Sequence, residues 1–284
     1  MRHDVQLPRY HDEPMWWNWL CEGFTLLGYG DRAKYTKKEL SSDRIGFVYP
    51  MVFEIDGKRY LWDFMDYTTL TRPDEPCHKR FKIQLLEEHI RNGVVPIPQI
   101  CGKLEIETIR RFIFKKHPKR EYVYDVLGMF RTTDFHTRYK WIEIVRSMNL
   151  NSKLSLLQSP DRPIVPEHIS QERLKYEDHL ELQYLSKINL AVPGIGIDGG
   201  SAWSFRTSEL MALGCFFIMP RHKCFYPYFE KKICVECTEE ELPDTINYYL
   251  THDEEREEIG RNAKEYFEKY IRPDSYAKYI LANL

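Results

Sequence analysis

Apolar and polar positions alternate along this chain in two textures that meet near residue 119. Before that point, apolar clusters are separated by irregular polar loops. The run MWWNWLCEGFTLL follows Pro14, which stands at a first helical position behind Asp12 and Glu13, and predicts a helix that stops at the glycines of GYG. Residues 45–53 and 59–64 are rich in β-branched and aromatic side chains. They flank Asp56-Gly57, a strong short-range hairpin signal. A helix over 80–92, ending at Gly93, and a short strand at VVPIP complete this region, and the two prolines place that strand at a sheet edge. From residue 121 the spacing becomes regular. Strands are predicted at YVYDVLG, which enters a turn, and at KLSLLQS, KINLAVPG, CFFIMP and KICVEC. Helices are predicted at TTDFHTRYKWIEIVRSM, KYEDHLELQYLS and SFRTSELMALG. The tail from residue 239 reads as two or three helices, broken near Asp253 and at Pro273. Such alternation predicts parallel β-α units.

Composition narrows the possible partners. The chain has 284 residues, 43% of them hydrophobic, which is material for two modest cores, so two domains are expected. The 41 basic and 43 acidic side chains give a formal net charge of -2, so no global field attracts polyphosphate or anionic lipid. A nucleic-acid partner would need a local patch, which KKHPKR (115–120) and RHK (221–223) could seed, but solvated charged loops are the simpler reading and no nucleic-acid partner is expected. Residues 1–14 lack the apolar stretch of a signal peptide, and the greasy run 210–220 is too short to span a bilayer. A soluble, cytoplasmic chain without a membrane span is therefore expected. The seven cysteines read as reduced thiols. Cys234 and Cys237 have C-x-x-C spacing but no second ligand pair nearby, so KKICVECT reads as a buried strand and no metal site is expected.

The stretch 190–220, LAVPGIGIDGGSAWSFRTSELMALGCFFIMP, carries the chemistry. It reads as strand, glycine-rich loop, helix, strand. Glycines let a backbone approach phosphate oxygens, and a helix start offers unpaired N–H groups at a positive dipole end. Arg206 can bind a pyrophosphate through two hydrogen bonds, and Glu209, one turn on, can accept from ribose hydroxyls. The competing reading is a surface ion pair of little energetic worth. The loop does not fit the dinucleotide fingerprint, and no phosphate-loop lysine is present.

SFRTSELMALGCFFIMP, preceded by SKINLAVPG, resembles the donor-binding segment of GT-B glycosyltransferases, in particular the exostosin-like and CgeB-like groups. ECTEEELPDTINYYLTHDEEREEIGRNAKEYFEKY is similar to their closing strand, acidic-leucine helix, turn and crossover helix, so the resemblance covers about 122–270. Ser208 and Met211-Ala212 depart from the usual small residues without altering the helix. The resemblance implies an α/β, GT-B-like fold with two Rossmann-like lobes facing a cleft. The first lobe would be reduced and irregular (1–118), the second would bind nucleotide-sugar (119–265), and a final helix (266–284) would pack back on the first. It further implies Glu209 as ribose ligand and a diphosphate held by Arg206 and by amides around Gly199, Gly200, Ser201 and Ser204. The loop from Gly128 to Arg131 would face the diphosphate, with Arg131 and Arg138 helping to neutralise the leaving phosphate. The implied activity is transfer from a UDP-sugar donor to a glycan or glycoprotein acceptor, inverting and with no cofactor required. Length and texture are most similar to the virus-encoded xylosyltransferases of the exostosin-like group, which implies UDP-xylose.

Metal independence fits the absence of an Asp-x-Asp triplet, for which Asp63-Phe-Met-Asp66 is the nearest approximation. An inverting transfer also needs a base for the acceptor hydroxyl. Asp12 is the first candidate, then His11 and Glu13, with Asp66 and Asp63 as competitors. Ordinary helix capping also accounts for the acidic residues before Pro14. Trp16, Trp17, Trp19 and Trp62 could stack on sugars, but at helical spacing most are expected in the core. A non-catalytic nucleotide- or glycan-binding module is the alternative from another class.

Overall fold

The computed structural model describes residues 15–29, 33–35, 51–64, 68–70, 73–160, 162–194, 203–225, 227 and 229–284. The first lobe begins with α1 (Met15–Leu26) and β1 (Ala33–Tyr35). β2 (Met51–Ile55) and β3 (Lys58–Asp63) form the predicted hairpin. Asp56 and Gly57 have φ of 50° and 74°, the left-handed pair that a two-residue turn matched to strand twist requires. β4 (Lys79–Lys82) pairs in parallel with β3, and α2 is confined to Glu87–Arg91. The helix predicted over 80–92 is thus corrected. Phe81, Ile83 and Leu85 are fully buried and alternate with Arg80, Lys82 and Gln84, which is a strand period and not a helical one. β5 (Val95–Pro96) occupies the sheet edge, as its prolines predict. α3 (Ile106–Lys116), absent from the sequence reading, buries Ile106, Ile109 and Ile113 on one face.

The second lobe is a parallel sheet: β6 (Tyr124–Arg131), α4 (Phe135–Ser147), β7 (Ser152–Leu157), α5 (Tyr176–Tyr184), β8 (Ser186–Leu190), α6 (Phe205–Leu213), β9 (Phe217–Pro220) and β10 (Val235–Cys237). The strand order is β10-β9-β8-β6-β7, all parallel, so the order of winding reverses between β6 and β8. Open parallel sheets bind ligands outside the carboxyl ends of their strands at such a reversal.

α7 (Leu242–Thr251) and α8 (Asp253–Tyr266) follow. A π-helical turn, Phe267–Ile271, then carries the chain to α9 (Pro273–Ala282), which crosses back onto the first lobe as expected. There Trp19 donates to Ile271 O at 2.8 Å, Tyr279 to Pro96 O at 2.8 Å and Lys79 to Asn283 O at 2.6 Å. A Cβ on Gly23 would lie 2.0 Å from Pro273 O, so α1 and α9 meet through a glycine. The two-lobe α/β arrangement expected from the sequence is therefore present, with a mixed sheet in the first lobe. One apolar core joins Trp19, Trp62 and Phe81 to Leu210, Phe217 and Tyr266 across both lobes. At the junction Gln84 Nε2 donates to Trp203 O at 2.6 Å, Ser208 Oγ donates to Gln99 O at 2.6 Å, and Leu85 forms a bridge with Phe225. No helix among the described residues is long and apolar enough to cross a membrane.

Candidate active site

Helix α6 is built to present its first turn. Ser204 caps it in an extended conformation, its N–H donating to Thr207 Oγ1 at 3.1 Å, and Gly214 ends it with φ 64°. At the far end Arg120 lies 4.0 Å from the Tyr184 ring centroid and donates to Leu213 O at 2.9 Å and Gly214 O at 3.1 Å. These contacts draw Arg120 inward, while Lys115, Lys116 and Lys119 of the same basic run stay exposed. Lys116 and His117 also meet Glu181, each at 2.7 Å, and in the other run Arg221 pairs with Glu241 at 2.6 Å.

Arg206 and Glu209 face inward, not into solvent. Glu209 is 6% exposed and accepts from the Tyr176 hydroxyl at 2.7 Å. Burial raises its pKa, opposed by Tyr176, Arg206, the Gly102 amide and Lys103. The Tyr176 hydroxyl is pushed far up by burial and by Glu209. Arg206 is partly exposed, with its guanidinium over the Phe130 ring at 5.2 Å and donating to Met129 O near the end of β6. Burial pulls its pKa to about 10 against the pull of Glu209. His179 lies behind the pair, lowered to about 3 by burial and by Arg206. A partly exposed arginine and a buried carboxylate at the N-terminal turns of a helix, beside the winding reversal, form an environment suited to an anion and a polyol.

Arg138 stands at the reversal itself. It donates to Arg131 O at 2.8 Å on β6, twice to Val192 O beyond β8 at 2.9 and 3.2 Å, and to Thr133 Oγ1 at 2.5 Å. A Cβ on Gly194 would approach its Nη2 to 2.8 Å, so the start of the glycine-rich loop lies against this guanidinium. Arg131 is exposed as the last residue of β6.

Several expected placements change. The segment from Gly128 to Arg131 is strand and not loop. Gly128 is a buried packing position, where a Cβ would meet Leu154 and Leu190 side chains at 3.1 Å. Of the expected phosphate-binding amides, that of Ser204 is occupied by Thr207. Asp63 is fully buried and lies 3.4 Å from the equally buried Lys82, whose pKa burial lowers and Asp63 partly restores, so it is an interior ion-pair partner and not an open base. His11, Asp12, Glu13, Asp66, Gly199, Gly200 and Ser201 lie outside the described residues. Trp19 and Trp62 are core, while Trp16 stacks on Phe64 at 4.8 Å and tilts against Phe205 at 5.6 Å.

Sequence reasoning missed Tyr176 and Gly102 around Glu209, His179 near Arg206, and the pairing of Gln84 with Trp203. Their own segments hold no signal, because each partner is contributed by another part of the chain. Among the described residues no group of three or more His, Cys, Asp or Glu is arranged to hold a metal ion.

Residues 146–282 match the family model described as glycosyl transferase-like. The match covers a little under half of the chain, and sugar transfer is the general chemistry of that model. No curated protein matches the chain. Among solved structures, TarM aligns at a TM-score of 0.45 and 11% identity, covering 78% of this chain and 50% of its own. The N-terminal domain of Candida albicans trehalose-6-phosphate phosphatase aligns at 0.43 and 12%, covering 67% and 49%. The glycosyltransferase VinC in complex with dTDP aligns at 0.32 and 8%, covering 74% and 49%. This chain spans about half the length of each, and at these scores the fold is read from the chain's own topology.

Proposed function

We propose that the chain transfers a monosaccharide from a UDP-sugar to a hydroxyl of a glycan acceptor. The observation that carries this reading is the inward placement of a partly exposed Arg206 and a buried Glu209 on the first turns of α6, beside the point where the parallel sheet reverses. In this reading Arg206 and the amides of Gly199, Gly200 and Ser201 grip the diphosphate, and Glu209 receives the ribose hydroxyls. Arg131 and Arg138 add positive charge where the leaving phosphate develops its negative charge. Charge compensation by arginines and a helix dipole makes the reading metal-independent. Inversion at the anomeric carbon and UDP-xylose as donor follow from the likeness to exostosin-like xylosyltransferases, some of them viral.

The test is a thermal-shift screen of UDP-, GDP- and CMP-sugars with and without EDTA, in wild type and in Arg206→Ala. A ligand that binds only the native form at about 100 times its Kd adds about 2.7 kcal/mol of stability. UDP-sugars are expected to raise the melting point of the wild type, EDTA to make no difference, and Arg206→Ala to lose the shift. A shift unchanged in Arg206→Ala would remove the donor site from α6.

A further inference from the structure

A cavity of about 510 Å³ opens beyond the end of β9, where the second lobe meets the first. Trp203, one residue before the N-cap of α6, forms one wall. His222, Cys224 and Phe225 form another, and Glu236 of β10 a third. Phe225 bridges to Leu85 of the first lobe, and the Cys224 thiol acts electrostatically on Lys82. The cavity therefore lies at the lobe junction, next to the N-terminal turn that holds Arg206. Its volume falls within the roughly 300–1,000 Å³ of small-ligand sites.

His222 has the setting of a proton acceptor there. Its ring is 8% exposed, stands edge-on to Trp203 at 5.0 Å, and places Nε2 at 3.2 Å from Glu236 Oε1. Nδ1 and Nε2 are both buried and neither makes a hydrogen bond to a described residue, so Glu236 stands at ion-pair distance from Nε2. The negative charge of a carboxylate 3.2 Å from Nε2 favours the tautomer with its N–H there, which leaves the Nδ1 lone pair to accept. Burial alone would push Glu236 up, but the His222 ring and Arg221 outweigh it and hold the carboxylate below its usual range. A base oriented by a third group is the arrangement that activates hydroxyl nucleophiles.

We propose that this cavity receives the acceptor hydroxyl and that His222, oriented by Glu236, takes its proton. The inference rests on the transferase reading and deepens it by naming the base. In the step, the acceptor O–H proton passes to Nδ1 and the oxygen forms a bond to the anomeric carbon. The bond from that carbon to the diphosphate breaks, and its electron pair leaves on the diphosphate. The imidazolium then faces Glu236, and the departing anion faces Arg206.

The test measures UDP release from UDP-xylose with methyl β-D-xyloside, methyl β-D-glucoside, methyl β-D-galactoside or water as acceptor. His222→Ala is expected to keep its melting point and its UDP binding, to lose about 100-fold in kcat, and to regain activity with added imidazole. Glu236→Gln is expected to lose about 10-fold in kcat at an unchanged donor KM, and Glu236→Asp to restore part of it. A folded, UDP-binding His222→Ala within threefold of wild-type kcat overturns the assignment. So does a loss confined to Asp12→Asn, measured alongside, or a wild type that binds UDP and releases none. A wild type that does not bind UDP fails earlier, at the transferase reading itself, and takes the inference with it.

Discussion

Glu209 concentrates the cost of the proposed site in one side chain. Its carboxylate is nearly closed off from water, and burial raises its pKa despite the Tyr176 hydroxyl and Arg206. A carboxyl whose folded pKa lies above its unfolded value favours the folded state while protonated. That contribution is complete below the ordinary value of 4.5 and is lost as pH rises through the raised one. Glu209→Gln keeps an acceptor for Tyr176 and removes the charge. In urea denaturation at pH 7 the variant is expected to be more stable than wild type, the difference vanishing below pH 4.5, while its affinity for UDP falls. Equal stability at both pH values would show that the buried charge carries no penalty. The Arg206 and Glu209 spacing is legible in the sequence because three residues on a helix share a face. Tyr176 is not legible, since the fold alone brings α5 against α6.

At the scale of elements, backbone contacts decide how close two helices can come. α6 ends at Gly214, and a Cβ placed on Gly260 of α8 would lie 2.8 Å from Gly214 O. Gly260→Ala must push α8 away from the helix that carries Arg206. It is expected to cost about 1–3 kcal/mol, read as a lower urea midpoint with an unchanged slope. An unchanged midpoint would mean that α8 shifts freely. Element identity was largely written in periodicity. The Asp56-Gly57 turn, the parallel strands of the second lobe and the glycine-stopped α6 all follow from local pattern. The exception is 80–85, where Arg80, Lys82 and Gln84 alternate with buried apolar residues. The helix predicted over 80–92 therefore covers a stretch whose period is two. Gly128 likewise reads as a turn, although β6 runs through it, because the packing of Leu154 and Leu190 is invisible along the chain.

The whole molecule should unfold as one unit. The continuous core from Trp19 and Trp62 to Leu210 and Tyr266, with α9 docked on α1, couples the lobes. Calorimetry is expected to show a single transition with equal calorimetric and van't Hoff enthalpies. Two separated transitions would make the lobes independent. What the sequence determined by itself is the α/β class and the position of the glycine-rich stretch and helix α6. Those features depend on periodicity and on caps within a few residues. The tertiary structure alone decided that Asp63 is sealed against Lys82, that Arg138 ties β6 to the segment beyond β8, and that His222 and Glu236 share a wall at the lobe junction. Each depends on side chains from segments far apart in the chain, whose meeting is set by sheet order and lobe docking and leaves no trace in local pattern.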